Sequence, residues 1–179
     1  MQKILVSACL LGRPVRYDGG SKRLDDTLLD AWKAEGRLVP VCPEVMAGLP
    51  TPRPPAEIEA GAGGAAVLDG RARIRDDAGG DVTAAFRAGA EAALAAARDA
   101  GCRYALLTDG SPSCGATFIY GGAFDGRRVG GQGVVTALLE TQGIRVFAEH
   151  QIADLAHALA EDGSAPTEQA RPNRTTLRP

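Results

Sequence analysis

The chain has 179 residues and a formal net charge of −2, from 20 Lys and Arg against 22 Asp and Glu. This length fits one domain with a full hydrophobic core. The near balance of charge argues against a protein that binds nucleic acid mainly by electrostatic attraction, because such proteins are usually clearly basic.

Strands and helices alternate along most of the sequence. Apolar runs predict the strands, and apolar residues at helical spacing predict the helices between them. The predicted strands are residues 3–8, 38–42, 103–108 and 144–147. The predicted helices are residues 24–35, 81–100, 134–142 and 152–159.

This alternation predicts a single three-layer α/β domain with a mostly parallel four-stranded sheet. Right-handed crossovers then favour the strand order 2-1-3-4, numbered along the chain. Ligands bind such sheets at the switch point, here between strands 1 and 3. We expect the domain to cover residues 1–160. Residues 161–179 are polar, lack an apolar period and are expected to form a disordered tail.

Three segments depart from this alternation. Residues 43–55 are dense in proline, which predicts a rigid loop that is too long for a simple connection. Residues 65–68 and 72–75 flank an Asp-Gly pair, which predicts a small inserted β-hairpin. Residues 118–128 contain further Gly and Asp-Gly turn signals and predict a loop or a short hairpin.

The cellular location bears on the chemistry of the cysteines. The N-terminus leads directly into a strand and lacks the pattern of a signal peptide, and no apolar run is long enough to span a membrane. We therefore expect a cytoplasmic protein without a membrane partner. Thiols stay reduced in the cytoplasm, so four cysteines favour metal, redox or catalytic roles over disulfides.

Three of the cysteines follow predicted strands. Cys9, Cys42 and Cys114 come at or just beyond the ends of strands 1, 2 and 3. Because the carboxyl ends of parallel strands meet at one edge of a sheet, we expect the three thiols to gather there. The alternative is that they are small buried apolar residues, as free cysteines often are. Cys102 precedes its strand, at the opposite edge, and is expected to be a packing residue.

Three cysteines without a nearby histidine form a soft set of metal ligands. Such a set suits zinc or an iron–sulfur cluster. The spacing of these cysteines matches no short zinc-finger pattern, and the ligand types alone leave both metals open. A cube cluster held by only three thiolates keeps one iron open to a ligand, so it can do more than relay electrons.

Polar residues beside these cysteines are candidates for catalysis. Glu44 lies two residues after Cys42, where a carboxylate can act as a general acid or base. The alternative is a glutamate on a surface loop, or a partner for Arg53. Ser111 and Ser113 precede Cys114, and their hydroxyls can orient a substrate, bond to a cluster sulfur or only form turns.

The polar loop at residues 13–20 is a candidate to cover a ligand. Arg16, Tyr17 and Asp18 stand in it beside paired glycines. The alternative is an ordinary connection between a strand and a helix. We expect these three residues, together with Ser113, to bind a small-molecule substrate.

Three short motifs surround the cysteines. They are Cys9-Leu-Leu-Gly12 with Val15-Arg-Tyr-Asp-Gly19, Cys42-Pro-Glu44 with Gly48-Leu-Pro-Thr-Pro-Arg-Pro54, and Ser111-Pro-Ser-Cys-Gly115. In combination they resemble a bacterial family whose best-understood members are 2-thiouracil desulfurases. The resemblance covers about residues 3–160, and the combination is specific although each motif alone is not.

This resemblance implies a [4Fe–4S] cluster held by Cys9, Cys42 and Cys114. Its open iron would take the sulfur from a thiolated nucleobase or nucleoside such as 2-thiouracil, leaving the oxygenated base. By the same resemblance, Glu44 matches the family's proposed acid or base and Ser111 its proposed active-site serine. The implied protein is an enzyme that desulfurises a thiocarbonyl compound.

Two other functions remain compatible with these residues. One is a non-catalytic module that senses metal or redox state, or mediates assembly, through a three-cysteine zinc or cluster site. The other is a small-molecule-binding fold with reduced structural thiols. Metal content and turnover of thiolated compounds distinguish the three possibilities.

Overall fold

A computed structural model describes residues 1–164 of the chain. The strands in this range are β1 (Ile4–Ser7), β2 (Leu38–Val41), β3 (Ala56–Ile58), β4 (Ile74–Asp76), β5 (Tyr104–Leu107), β6 (Phe118–Tyr120), β7 (Arg128–Gly130) and β8 (Arg145–Ala148). The α-helices are α1 (Thr27–Ala34), α2 (Pro43–Met46), α3 (Gly64–Leu68), α4 (Thr83–Asp99), α5 (Val134–Thr141) and α6 (Ile152–Ser164). None of these helices is long and apolar enough to cross a lipid bilayer.

A parallel sheet of four strands lies at the centre of the fold. Its order is β2-β1-β5-β8, and each neighbouring pair is parallel. These strands are the first to fourth of the predicted strands, so the predicted order 2-1-3-4 is confirmed. The crossovers leave β1 and β5 adjacent, and the switch point lies between them.

Side chains that alternate along the strands build a core on each face of the sheet. Leu5 packs with helices α3, α4 and α5 on one face. Ile4 and Val6 pack with α1 and α6 on the other face. This period of two is the pattern of a strand buried on both sides. The three-layer α/β architecture predicted from the sequence is therefore confirmed.

The long helix α4 forms as its sequence predicts. The Asp81 carboxylate accepts a hydrogen bond of 3.0 Å from the Thr83 backbone N–H, which satisfies one free donor at the start of the helix. Alanine, the best helix former, fills much of the rest. Its predicted apolar face is buried throughout, and consists of Phe86, Ala90, Ala93, Leu94 and Ala97.

The hairpin predicted around Asp69 and Gly70 is wrong. Residues 64–68 form helix α3, and Gly70 follows that helix with a positive φ of 75°. An Asp-Gly pair serves a helix end as well as a hairpin turn, and the Ala-rich run before it has high helix propensity. The small antiparallel pair in this region instead joins β4 to β3. For residues 118–128, where the sequence predicts a loop or a short hairpin, the structure has a hairpin formed by β6 and β7.

Two predicted boundaries also change. The proline-rich segment at 43–55 begins with one helical turn, α2, in which Pro43 occupies the first position and sacrifices no backbone hydrogen bond. Helix α6 continues through Ser164, beyond its predicted end at residue 159. The rest of the predicted tail lies outside the described residues.

Candidate active site at the carboxyl edge of the sheet

Three loops at the carboxyl edge of the sheet bring three cysteines to one cavity. Cys9 lies in a 3-10 turn after β1, Cys42 directly follows β2, and Cys114 lies in the loop after β5. All three line a cavity of about 470 Å³. Cys102 precedes β5, is buried in the core and does not line the cavity. The structure therefore brings together the three cysteines that the strand order selects.

The surroundings of these thiols oppose their ionisation. Burial raises the pKa of Cys9. Burial and then the Glu44 carboxylate raise the pKa of Cys42 to about 11. Burial is also the main cause that raises the pKa of Cys114, and the charges of Glu44 and the other two cysteines add to it. Three thiolates at this site therefore require a positively charged group among them.

The lining of the cavity fits a polar group bound by the three cysteines. Within residues 1–164, no three His, Cys, Asp or Glu side chains are grouped closely enough to hold one metal ion. Three cysteines nevertheless line the same cavity. Within residues 1–164, the Thr108 hydroxyl lines the cavity near the Cys9 thiol and is buried without a hydrogen-bond partner. A buried unpaired hydroxyl is costly, and a polar group bound by the cysteines would give it a partner.

Asp109 organises the loop that carries Cys114. Its Oδ1 accepts hydrogen bonds from the backbone N–H groups of Ala116, Thr117 and Phe118 at 2.9, 3.0 and 3.1 Å. Its Oδ2 accepts a hydrogen bond from the Thr117 hydroxyl. Burial opposes ionisation, but these hydrogen bonds together hold the pKa of Asp109 below its ordinary value. The carboxylate thus closes the loop from residue 109 to residue 118.

We expect Asp109→Asn to lower the free energy of unfolding by about 1.5–3 kcal/mol, the range for hydrogen bonds to a buried charge. This loss of stability is fully present at pH values above the ordinary carboxyl pKa. It shrinks as the pH falls through the lower pKa of Asp109 in the folded protein, because the wild-type carboxylate then becomes protonated. Two other titratable side chains lie beside Asp109: His150, whose Nδ1 is 3.9 Å from Oδ2, and Glu149, whose Oε2 accepts the Asp109 backbone N–H.

Urea unfolding between neutral and acidic pH measures this effect. The matched control is Asp76→Asn, because Asp76 also accepts two backbone N–H bonds but in an exposed turn. We expect the control substitution to lower the free energy of unfolding by less than about 1 kcal/mol. Equal losses in the two variants, or a loss at Asp109 that does not change with pH, would contradict this role.

The structure separates the two serines before Cys114. Ser111 lines the cavity, and its Oγ accepts the backbone N–H groups of Ser113 and Cys114 at 3.1 and 3.2 Å. Ser111 therefore fixes the turn while its own hydrogen remains available to the cavity. Ser113 is fully buried and does not line the cavity, so the geometry gives no support to its predicted contact with substrate.

Gly115 completes this turn. A Cβ atom there would lie 2.7 Å from the carbonyl oxygens of Ser111 and Phe118. Backbone atoms cannot yield to such an approach, so any larger residue would displace the loop.

Glu44 and Arg53 form an ion pair at the cavity wall. Arg53 Nη2 donates to Glu44 Oε2 at 2.7 Å and to the Val15 carbonyl at 3.1 Å. The side chains of Arg53 and Glu44 are 7% and 14% exposed. Burial raises the pKa of Glu44, and Arg53 opposes this shift. In residues 1–164, Glu44 Oε1 makes no hydrogen bond, so one oxygen is anchored and the other is available for chemistry.

The loop at residues 13–20 contributes two of its three candidates. Arg16 and Tyr17 line the cavity, whereas Asp18 does not. The Asp18 carboxylate instead accepts the Gly20 backbone N–H at 2.9 Å and lies 3.9 Å from Arg16 Nε. Asp18 therefore shapes the loop, and the geometry does not bring it to a ligand in the cavity.

Sequence reasoning missed several residues of the cavity wall. Glu57, Asp77, Tyr120 and Phe124 come from the two antiparallel pairs and the turns beside them. No motif marks them, because they meet the cysteines only through contacts between distant segments. Arg53 could have been found from the sequence, because it lies within the proline-rich motif, but the sequence analysis predicts only its possible pairing with Glu44.

Comparisons with known proteins identify the relatives of this chain. The family model described as 2-thiouracil desulfurase matches residues 4–151. The uncharacterized protein YbbK of Bacillus subtilis (strain 168) is 42% identical over 154 residues, which cover 85% of this chain and 99% of YbbK. A solved structure described as the [4Fe-4S]-dependent thiouracil desulfidase TudS is 50% identical, with a TM-score of 0.82. The match covers 90% of this chain and 99% of that one.

Proposed function

The chain belongs to the 2-thiouracil desulfurase family, and we propose that it removes sulfur from a thiolated nucleobase or nucleoside such as 2-thiouracil. In the overall reaction, water replaces sulfur on the ring carbon. The C=S bond is broken, a C=O bond is formed and hydrogen sulfide is released without net oxidation or reduction. The observation that carries this proposal is the convergence of Cys9, Cys42 and Cys114 on one cavity beside Glu44.

We propose that these three cysteines hold a [4Fe–4S] cluster, the cofactor named for the similar structure TudS. The three soft donors share a cavity with the buried, unpaired hydroxyl of Thr108, which fits a polar group of this kind, and the 50% identity with TudS favours a cluster over a single zinc ion. When bound, such a cluster supplies an iron without a protein ligand, which can act as a Lewis acid toward sulfur.

Glu44 is the proposed acid and base. Its anchored oxygen fixes the carboxylate against Arg53, and its free oxygen can take a proton from the attacking water. The same carboxyl group can then return that proton to the leaving sulfur. Burial raises the pKa of Glu44, which brings the group closer to the range where proton transfer in both directions is efficient.

Ser111 and Arg16 are the proposed substrate ligands among the predicted residues. The oxygen of Ser111 already accepts two backbone N–H groups, so its hydroxyl acts toward the cavity as a donor. It can therefore bond to an oxygen or an unprotonated nitrogen of the substrate ring. Arg16 brings a positive charge to the same cavity, which suits an anionic form of the base or the phosphate of a nucleotide.

Anaerobic purification followed by reconstitution with iron and sulfide tests this proposal. We expect about four irons per chain, and equal amounts of uracil and sulfide from 2-thiouracil. A panel of thiolated nucleobases, nucleosides and acyclic thiocarbonyl compounds then defines the substrate. Protein that binds no iron would refute the cluster, and fully loaded protein that releases sulfide from no compound in the panel would refute the desulfurase.

A further inference from the structure

Aromatic side chains are rare in this chain and concentrated at the cavity. The sequence contains one Trp, three Tyr and four Phe, and half of these eight residues line the cavity, namely Tyr17, Phe86, Tyr120 and Phe124. Among the described residues, Tyr17 and Phe124 are the exposed aromatic side chains, at 42% and 40%. Aromatic faces left open to water at a cavity are surfaces that a flat ligand can cover.

The backbone of Phe124 is held in an unfavourable conformation. Its φ is +54°, in the left-handed region that bulky residues rarely adopt. The residue lies in the turn between β6 and β7 and lines the cavity. Such strain persists only where the surroundings enforce it, and it is frequent at ligand sites. The turn that presents Phe124 to the cavity must therefore be held by its neighbours.

Glu57 enforces this conformation. Its Oε2 accepts the backbone N–H groups of Gly122 and Phe124 at 2.7 and 3.1 Å, and the residue is only 9% exposed. Gly122 packs directly on β3, since a Cβ atom there would lie 2.5 Å from the Ile58 carbonyl oxygen. A buried carboxylate and a backbone contact thus fix the loop that presents Phe124 to the cavity.

Tyr17 comes to the same cavity from a different loop. Its carbonyl oxygen accepts the Arg53 backbone N–H at 2.7 Å, and the side chain of Arg53 pairs with Glu44. The Arg16 guanidinium carbon lies 5.8 Å from the centre of the Tyr17 ring, within the range of a cation–π contact. The position of Tyr17 is therefore linked through Arg53 to the proposed acid and base.

We propose that Phe124 and Tyr17 select planar heterocyclic substrates by stacking against the base, and that Glu57 is the positioning residue that holds Phe124 in place. This inference rests on the proposed function and narrows it. The enzyme would prefer a ring thiocarbonyl, in a nucleobase or nucleoside, to an acyclic thioamide or thiourea. Stacking is indifferent to the pattern of ring substituents, so the preference would be for flat rings as a class.

Calorimetric titration of the reconstituted protein with uracil tests the stacking, because uracil keeps the ring but has no sulfur to transfer. We expect Phe124→Leu to weaken uracil binding by about 5- to 150-fold, the range for loss of one base–aromatic contact. Phe124→Trp retains an aromatic face and should bind within about threefold of wild type. Phe147→Leu is the matched control, since Phe147 is a partly exposed aromatic residue that does not line the cavity.

Steady-state kinetics give the second measurement. Phe124→Leu should raise KM for 2-thiouracil by a similar factor with little change in kcat, and should lower the ratio of kcat/KM for 2-thiouracil to that for thiourea by the same factor. Glu57→Leu should resemble Phe124→Leu, and Glu57→Gln, which can still accept both N–H bonds, should recover most of the binding. Tyr17→Leu should also weaken uracil binding.

The outcomes separate this inference from the proposed function. If Phe124→Leu, Tyr17→Leu and wild type bind uracil equally, or if wild type does not bind it, the stacking is refuted even when 2-thiouracil is desulfurised. If uracil binding depends on Phe124 but no thiocarbonyl compound is turned over, the stacking stands and the desulfurase proposal fails.

Discussion

Cys114→Ala is expected to lower the iron content of the reconstituted protein from about four atoms per chain to less than one. Cys114 is buried at the cavity on a loop that is fixed by Asp109 and Ser111, so its thiol is firmly placed as a proposed ligand. Removing a group that only hydrogen-bonds to a metal ligand lowers the affinity for the metal by about 10- to 100-fold. Removing the ligand itself should lower that affinity further. Desulfuration should fall below detection.

The test measures iron and sulfide content after anaerobic reconstitution, together with the turnover of 2-thiouracil. Cys102→Ala is the matched control, because it also removes a buried thiol but at the opposite edge of the sheet. This control should keep its iron and its activity. Full iron content in Cys114→Ala would mean that the cluster is held elsewhere, and equal loss in the two variants would indicate a general effect of removing a buried sulfur.

Glu44→Gln should lower kcat by about 10²- to 10⁴-fold, the usual contribution of a general acid or base. The substitution preserves the shape of the side chain and an oxygen that can accept the Arg53 hydrogen bond, whereas it removes the ability to carry a proton. Iron content should remain that of wild type, because Glu44 is not one of the proposed ligands. Stopped assays for uracil, together with iron analysis, measure both quantities.

Two further variants control for changes other than proton transfer. Glu91→Gln makes the same change on an exposed part of helix α4 and should leave kcat unchanged. Glu44→Asp keeps a negative charge against Arg53 but shortens the reach of the carboxyl group, so it should fold normally and remain slow. A decrease of less than about fivefold in fully loaded Glu44→Gln would remove Glu44 from the proposed mechanism.

The sheet and the meeting of the cysteines follow from local signals in the sequence. Alternating apolar strands and amphipathic helices leave few allowed topologies, and the resulting order places the residues after β1, β2 and β5 at one edge. The meeting of Cys9, Cys42 and Cys114 at that edge could therefore be predicted without knowledge of tertiary contacts. The family motifs added the cluster and the role of Glu44, which the ligand types alone leave open.

Other features depend on contacts that local patterns do not encode. Glu57 binds the backbone of Phe124 across 67 positions of sequence, and nothing near either residue marks the pair. Ser113 illustrates a different limit. A serine in a turn can face solvent, ligand or core. Ser113 is buried where its carbonyl oxygen accepts the Val135 backbone N–H at 2.9 Å, a contact with the start of helix α5 that no local pattern predicts. The hairpin predicted from the Asp-Gly pair at residues 69 and 70 is wrong because the same dipeptide is found at helix ends as well as in hairpin turns.

The two antiparallel pairs, β3 with β4 and β6 with β7, have a consequence for how this protein can change over evolution. The proposed cluster ligands all lie on loops of the central sheet, whereas Glu57 and Phe124 lie on the antiparallel pairs and their turn. Substitutions in the two antiparallel pairs and their turns can therefore alter which compound binds, while the residues that hold the cofactor and transfer the proton stay unchanged. Related chains with the same three cysteines are expected to differ in substrate partly through these segments.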